Sequence, residues 1–272
     1  MSVKKFHSSI FNRDKILNIF ELAKNDFRSK YAGSVLGVLW AFIYPCLTVV
    51  LYWFVFQVAL KSKTDDNVPY VLWLVSALVP YLFFCDGLGG CASALTDYSY
   101  LVKKVRFDVS VLPAVRLISA FFIHAVFILL LLVTALAFGY FPKIGNVWLI
   151  YYVLSESIFL LVLGYLLSAL TVFFKDIKNI ISVLTQIGYW LTPLFWSSDS
   201  LTPWIRNLIF IINPVSYISE GFRNAVLYGG TPVVWYTIYF WGLVIVLDCS
   251  AKFIFGRCRS SFSDYILSLI HI

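Results

Sequence analysis

The residue types that carry out chemistry are scattered along this sequence of 272 residues rather than grouped. Its three histidines, His7, His124 and His271, lie far apart, and its five cysteines form no CxxC pair and no Cys/His metal spacing. A catalytic or metal site needs several such groups close together. The spacing therefore predicts neither a catalytic residue nor a metal ligand, and it disfavours a membrane-embedded transferase.

Two carboxylates stand out because each interrupts a long apolar stretch. Asp86 lies beside a glycine cluster, and Glu156 lies in the first half of another stretch. A charge inside a hydrocarbon layer is costly, so such residues usually face water or an opposite charge. We expect both to face a water-filled path or to pair with partners that the sequence does not identify. Asp248 and Lys252, four residues apart, are instead predicted to form a local ion pair.

The composition indicates what kind of elements must hold these residues. Hydrophobic residues make up 61% of the chain and charged residues 13%, whereas a soluble domain has about 25% charged residues. So few charges could not cover a soluble surface without large apolar patches. The composition therefore predicts a polytopic membrane protein. Aromatic residues, at 19%, are also unusually frequent.

The apolar stretches predict an all-α integral membrane fold with six transmembrane helices. Residues 1–31 form a cytoplasmic N-terminus whose apolar and basic faces favour an amphipathic helix in the membrane interface. The alternative is a helix packed on its own domain. A transmembrane domain at 32–256 and a cytoplasmic tail at 257–272 follow. The spans are expected at about 32–60, 68–96, 111–138, 147–174, 180–196 and 232–255, each bounded by polar or charged residues.

Two short helices are expected at about 203–229, before the last span. The first is too short to cross a membrane, and the second follows Asn213-Pro214 and ends near a pair of glycines. Within it, Glu220 and Arg223 are three residues apart and are predicted to pair. A re-entrant hairpin and a pair of interfacial helices both fit this pattern.

The basic residues predict the orientation. With the N-terminus in the cytoplasm and six spans, sixteen of the 21 lysines and arginines lie on the cytoplasmic side. Both termini are therefore expected in the cytoplasm. The net charge of +7 is explained by orientation and by attraction to anionic membrane lipids, so no nucleic-acid partner is expected.

Several motifs occur together in an order that resembles a known family. The N-terminal part, residues 21–47, reads ELAKNDFRSKYAGSVLGVLWAFIYPCL, and later stretches read LVPYLFF (78–84), SYLVKKVRF (99–107), FFKD (173–176) and TPLFW (192–196). Asn213-Pro214 and an E–x–x–R helix follow. This series resembles the membrane subunits of bacterial ABC-type polysaccharide exporters, which move O-antigen, capsule or teichoic-acid polymers.

The resemblance implies a half-channel in the bacterial inner membrane that forms a homodimer and is driven by a separate ABC ATPase subunit. No G-x-x-x-x-G-K-[ST] motif occurs in the sequence, so ATP and Mg²⁺ would bind to that partner, and no cofactor is expected in this chain. The basic segment between the second and third spans resembles the family's coupling helix. The residues expected to dock the ATPase are Tyr98, Tyr100, Lys103, Lys104 and Arg106.

The family substrate is a glycan carried on a polyprenyl diphosphate lipid. Aromatic rings offer a sugar both apolar faces and hydroxyl partners, and cations grip a diphosphate. The expected glycan path comprises Trp40, Tyr44, Tyr52, Phe56, Asp86 and Glu156. The expected lipid entrance comprises Arg28, Lys30, Tyr31 and Gly33. The expected periplasmic gate comprises Asn213, Pro214, Glu220 and Arg223.

Other interpretations stay open at this point. Trp40 also suits an interfacial aromatic belt, whereas Tyr44 lies too deep for one. A permease of the same fold that exports a smaller lipid or a drug is the main alternative. A secondary transporter would show internal repeats and several charges at mid-membrane, and the sequence shows no repeat and few such charges.

Overall fold

The computed structural model describes residues 13–62, 64, 68–99 and 108–258, with side chains from residue 16 onward. These ranges contain nine α-helices and no strand. The helices are α1 (Arg13–Lys30), α2 (Trp40–Tyr52), α3 (Tyr70–Asp97), α4 (Leu112–Ala137), α5 (Trp148–Phe173), α6 (Ile177–Leu191), α7 (Pro203–Ile212), α8 (Val215–Leu227) and α9 (Val234–Cys258). The structure therefore confirms the all-α integral membrane fold.

Five helical segments of the described chain are long and apolar enough to cross a membrane. They are Gly37–Ala59, Tyr70–Asp97, Val109–Ala137, Ile144–Phe173 and Val234–Cys258, each helix taken together with its short 3₁₀ or π-helical extensions. These segments coincide with the first four and the last of the six expected spans. Helix α3 is the most buried and packs against α4 and α5, whereas the α2 segment is the least buried.

The fifth expected span, at 180–196, differs from the expectation. Helix α6 begins earlier, at Ile177, and ends at Leu191 after 15 residues. It ends there because Thr192 precedes a proline, which disfavours the helical conformation, and Thr192 is extended with ψ at 138°. At 1.5 Å per residue the helix is only about 22 Å long, shorter than a hydrocarbon layer of ~30 Å.

Helix α6 and the segment after it nevertheless run the length of α3. At one end, Lys178 Nζ lies 3.4 Å from Asp97 Oδ1, at the last residue of α3. At the other end, Arg223 donates to the carbonyl oxygens of Leu194 and of Trp73, which lies in the first turn of α3. We call these the inner end and the outer end of the bundle. The two ends of the described chain share the inner end, because α1 contacts α4 beside Arg116 and Phe255 of α9 packs near Leu95.

Helix α1 packs against α4 and also leaves apolar side chains exposed. Ala23 is fully buried and Ile19 nearly so, both beside Val115. Ile16 and Phe20 are each 48% exposed on the same helix. The apolar face expected from the sequence is therefore divided between packing within the chain and a surface that suits the membrane interface.

Helices α7 and α8 form the two short helices expected from the sequence. Most of α8 is buried against α3 and α5, and its Tyr217 bonds to Thr237 in the first turn of α9. Helix α7 instead carries exposed apolar residues, including Trp204 at 67%. Asn213 ends α7 and caps α8, because its side-chain oxygen accepts from the backbone N–H of Val215 at 3.2 Å. The re-entrant placement of the pair stays a prediction.

Candidate functional site

A cavity of about 450 Å³ lies near the inner half of the bundle, between the end of α1, the start of α2, α3 and α4. Five of the residues expected at the lipid entrance or on the glycan path line it together: Lys30, Tyr31, Trp40, Tyr44 and Asp86. Most of the remaining lining is apolar. Residues that the sequence assigns to the lipid entrance and to the glycan path therefore line the same cavity.

Glycine conformations bring the two sides of this cavity together. Helix α1 ends at Lys30, and Gly33 and Gly37 then adopt positive φ angles of 84° and 51°. Such left-handed conformations cost glycine little and other residues more. The resulting turn brings Trp40 and Tyr44, one helical turn apart on α2, over the end of α1. No atom lies within 4 Å of a Cβ built on Gly33, so its role is to turn the chain.

An ion pair lies at the polar side of the cavity. Lys30 Nζ is 3.4 Å from Asp86 Oδ2, and the two side chains are 24% and 45% exposed. Lys30 is thus the partner of Asp86 that the sequence left unidentified. Tyr31 is next to this pair, and burial, with the nearby Asp86 carboxylate, raises the pKa of its hydroxyl. Arg28 is exposed and is not among the residues that line this cavity.

Trp40 and Tyr44 combine cavity lining with wide exposure. Trp40 is 41% exposed and Tyr44 58% exposed, on the least buried span. Their rings therefore face both the cavity and the outside of this subunit. A path shared between two subunits would use rings in such a position.

Tyr52 and Phe56 lie further along the α2 segment, in an aromatic cluster nearer the outer end. The Phe56 ring stacks on Phe195 at 5.1 Å and on Tyr70 at 5.5 Å between ring centroids. Tyr52 contacts Phe195 and shares a hydroxyl–hydroxyl hydrogen bond with Tyr189. This part of the segment, Trp53–Ala59, is a π-helix, a distortion that often occurs at functional sites.

A second cavity, of about 460 Å³, opens at the outer end beside this cluster. Tyr70 and Phe195 of the aromatic cluster line it, as do Glu220 and Arg223. Two of the residues expected to form a periplasmic gate therefore lie at the outer cavity. Asn213 and Pro214, the other two, lie at the turn before α8.

Arg223 is almost completely buried, at 2% exposure, and each of its three guanidinium nitrogens donates a hydrogen bond. Its guanidinium donates to Glu220 Oε2 at 2.7 Å and to the carbonyl oxygens of Trp73, Pro193 and Leu194. It also lies 3.6 Å from the centroid of the Trp73 ring. The predicted Glu220–Arg223 contact is present, and its arginine joins α8 to the start of α3 and the end of α6.

Comparison with known proteins places this arrangement in a family. The sequence profile described as ABC-2 type transporter matches residues 18–227. This range includes the α2 and α3 walls of the inner cavity and the α3 and α8 walls of the outer cavity. The chain belongs to the ABC-2 type transporter family. It is a multi-pass membrane protein, and membership implies an ABC ATPase as partner.

Three curated relatives of this ABC-2 transporter chain carry the same description, O-antigen export system permease protein RfbA. The relative from Myxococcus xanthus is 28% identical over 249 residues, which cover 91% of this chain and 95% of that protein. Two relatives from Klebsiella pneumoniae are 23% and 22% identical over 247 residues, which cover 90% of this chain and 93% of each relative.

The segment expected to dock the ATPase of this ABC-2 transporter is only partly described. Tyr100, Lys103, Lys104 and Arg106 lie outside the described residues. Tyr98 is described, and its hydroxyl donates to Asp26 Oδ1 at 2.5 Å. Docking by these residues stays a prediction.

A charged network lies immediately beside that segment. Arg116 of α4 is 3.0 Å from Asp26 of α1 and 2.8 Å from Asp97 at the end of α3, and Lys178 of α6 also contacts Asp97. Asp26 is only 4% exposed. Arg116 and Asp97 therefore link four helices of the ABC-2 transporter subunit next to the expected docking segment.

The sequence interpretation did not include this network. One signal was present, since Arg116 lies near the start of an apolar span and a charge there needs a partner. The identity of that partner was not readable, because Asp26 is 90 positions earlier in the chain. Lys30 was likewise not readable as the partner of Asp86, because it is 56 positions earlier in the chain.

Glu156 is placed differently from the other path residues. Its side chain is 1% exposed, it lines neither cavity, and both carboxylate oxygens lack a hydrogen-bond partner among the described residues. The geometry does not bring it to the aromatic path. Asp248 and Lys252 form the ion pair expected from the sequence, at 2.5 Å. No group of three or more metal-ligating side chains occurs within the described ranges.

Proposed function

We propose that this chain is the permease subunit of an ABC transporter that exports a polyprenyl-diphosphate-linked polysaccharide, such as O-antigen, across the bacterial inner membrane. The observation that carries the proposal is the match over about nine-tenths of the chain to three relatives described as O-antigen export permeases. The aromatic and cationic lining of the inner cavity supports the substrate class, because it combines sugar-contacting rings with a cation for phosphate.

Energy for export would come from a separate ATPase subunit. The sequence of 272 residues lacks a G-x-x-x-x-G-K-[ST] motif, so this chain is proposed to transport without hydrolysing ATP itself. The inner end of the bundle would face the cytoplasm, because the positive-inside pattern assigns most lysines and arginines to that side. Both termini would then be cytoplasmic, with the ATPase docked beside the Arg116 network.

Two copies of this chain would form the channel. The α2 segment is the least buried span and exposes aromatic and apolar side chains, including Trp40 and Tyr44. In a homodimer these rings would line a path between the subunits, and elsewhere apolar side chains would contact membrane lipids. The inner cavity would receive the lipid diphosphate at Lys30 when the Lys30–Asp86 ion pair opens.

Gene deletion with complementation tests the function. Loss of the chain should remove polymer from the cell surface and cause polyprenyl-linked polymer to accumulate inside the cell, and the wild-type gene should reverse both effects. Surface polymer at the normal level in the deletion strain would contradict the proposal. It would favour the alternative of a permease for a smaller lipid or a drug.

A further inference from the structure

The outer cavity has a lining that suits a ligand with both apolar faces and hydroxyl groups. Aromatic side chains from several helices and from the segment after α6 surround it, including Tyr70, Trp73, Tyr152, Phe195, Tyr217 and Tyr236. Its volume of about 460 Å³ is within the range of roughly 300–1,000 Å³ that is usual for small-molecule sites. Aromatic rings at such density pack well against the C–H faces of a sugar ring.

The charges around the cavity balance one another. Glu220 pairs with Arg223 at 2.7 Å, and Asp199 pairs with Arg206 at 2.7 Å. All four line the cavity, so its lining has no net charge from these groups. A free anion or cation would find no unpaired opposite charge among them. Carboxylates held in pairs still accept hydrogen bonds, and the favoured ligand is therefore neutral and rich in hydroxyl groups.

The lining is also held in place before any ligand binds. The Tyr70 hydroxyl donates to the Phe195 carbonyl oxygen at 2.9 Å, and the Tyr236 hydroxyl donates to Asn207 Oδ1 at 2.6 Å. Arg223 is fixed by carbonyl oxygens in the first turn of α3 and in the segment after α6. A site whose side chains are already ordered loses less entropy when it binds.

The cavity borders the expected glycan path. Tyr70 and Phe195 line the cavity, and both rings contact Phe56 on the π-helical part of the α2 segment. A polymer that leaves the path at the outer end would therefore pass this opening.

We propose that the outer cavity is a saccharide-binding subsite that holds a neutral sugar unit of the polymer at the exit side of each subunit. This proposal rests on the proposed export function for its ligand. Glu220 and Asp199 accept hydrogen bonds from sugar hydroxyls, and the aromatic walls pack against the ring faces. Each subunit contains a complete subsite, since all of these residues belong to one chain.

Two adjacent valines provide a matched test. Val233 lines the cavity and is 51% exposed, whereas Val234 does not line it and is 71% exposed. Val233→Phe narrows the cavity opening, and Val234→Phe adds the same ring beside it. The full-length wild-type and variant proteins are purified in nanodiscs, where both faces are accessible. Binding of delipidated O-polysaccharide repeat-unit oligosaccharides from the same strain is measured by equilibrium dialysis.

The subsite predicts saturable binding by the wild type, binding by Val234→Phe within about twofold of it, and at least tenfold weaker binding by Val233→Phe. Thermal unfolding of each variant shows whether the fold is retained. If Val233→Phe does not fold, Asp199→Asn replaces it, and this variant should bind about threefold more weakly because one charge-assisted hydrogen bond is lost.

The subsite is overturned if the wild type does not bind the oligosaccharides, or if the folded Val233→Phe variant binds as tightly as Val234→Phe. Equal loss of binding in both valine variants also overturns it. The proposed function is judged separately, by surface polymer in the deletion strain. If export depends on the chain but the two valine variants bind equally, only the subsite proposal is contradicted, and the proposed function stands.

Discussion

Lys30 and Asp86, 56 residues apart in the chain, form an ion pair with 3.4 Å between Nζ and Oδ2 at the polar side of the inner cavity. The pair joins the end of α1 to the middle of α3. Because both side chains are partly exposed, the pair itself contributes little to stability, on the order of 1 kcal/mol or less. We expect the pair to matter for function instead, because opening it would release the Lys30 cation into a cavity with aromatic walls.

Removing the Lys30 cation should impair export without unfolding the protein. We expect Lys30→Gln to lower surface polymer about tenfold, which corresponds to the loss of roughly 1.4 kcal/mol of binding to the lipid diphosphate. Lys30→Arg should retain most export, because it keeps the charge. Polymer is quantified on the cell surface at matched protein levels.

Lys24→Gln is the control for Lys30→Gln. Lys24 is on the same helix and also pairs with a carboxylate, Glu21, at 3.8 Å, but it does not line the cavity. Equal export by Lys30→Gln and Lys24→Gln would show that the Lys30 charge has no part in the entrance.

The aromatic ring of Tyr44 should be needed for export of long polymer. Tyr44→Ala is expected to reduce full-length polymer at the surface several-fold, because it removes a sugar-contacting face from the path. Leu47→Ala is the matched control, since both side chains are 58% exposed on α2 and only Tyr44 lines the cavity. If Tyr44→Ala exports polymer of the same length and amount as Leu47→Ala, the ring does not contact the glycan.

Arg116 should be critical for stability because its partner is buried. Asp26 is 4% exposed, and among the described residues Arg116→Met would leave its carboxylate with only the Tyr98 hydroxyl. Removing one partner of a buried pair typically costs about 3–5 kcal/mol. We expect a clear decrease in the thermal unfolding temperature in detergent, with partial recovery in the Arg116→Met/Asp26→Asn double variant.

Arg206→Met provides the comparison for Arg116→Met. Arg206 pairs with Asp199 at 2.7 Å, but the two side chains are 33% and 72% exposed, so the expected cost is about 1 kcal/mol or less. Similar unfolding temperatures for Arg116→Met and Arg206→Met would mean that the Arg116 network stabilises the protein no more than an exposed ion pair does.

Close packing of α8 against α5 depends on the absence of a side chain at Gly221. A Cβ at Gly221 would overlap the ring of Tyr152, whereas a Cβ at Gly242 on α9 meets nothing within 4 Å. Gly221→Ala should therefore destabilise the protein by about 1–3 kcal/mol through overpacking. Gly242→Ala should be neutral or stabilising by up to about 1 kcal/mol, because alanine favours a helix. Thermal unfolding of the two variants compares them directly, and equal temperatures would be inconsistent with this packing.

The sequence was sufficient for features that depend on local pattern. Apolar length predicted the long helices, and Asn213-Pro214 predicted where α8 begins, because caps and prolines act within a few residues. The Glu220–Arg223 and Asp248–Lys252 pairs were readable for the same reason, since their spacing puts each pair on one helix face.

Features that depend on the packing of distant segments were not readable. The Lys30–Asp86 pair and the Arg116 network join residues far apart in the chain, and the outer cavity brings together side chains from α3, α5, α8 and α9. A local signal for the early end of α6 was present in Thr192-Pro193. The expected span followed the apolar stretch instead, which continues past these two residues although the helix does not. The π-helix at Trp53–Ala59 has no sequence signature.

Transport into inverted inner-membrane vesicles tests the central claim most directly. Vesicles are prepared from the deletion strain with and without this chain, both containing the ATPase and polyprenyl-linked O-antigen on the exposed face. If the chain is the export permease, ATP should make the polymer resistant to a membrane-impermeant endoglycosidase only in vesicles that contain the chain. Equal protection without the chain, or no ATP-dependent protection in its presence, would contradict the account.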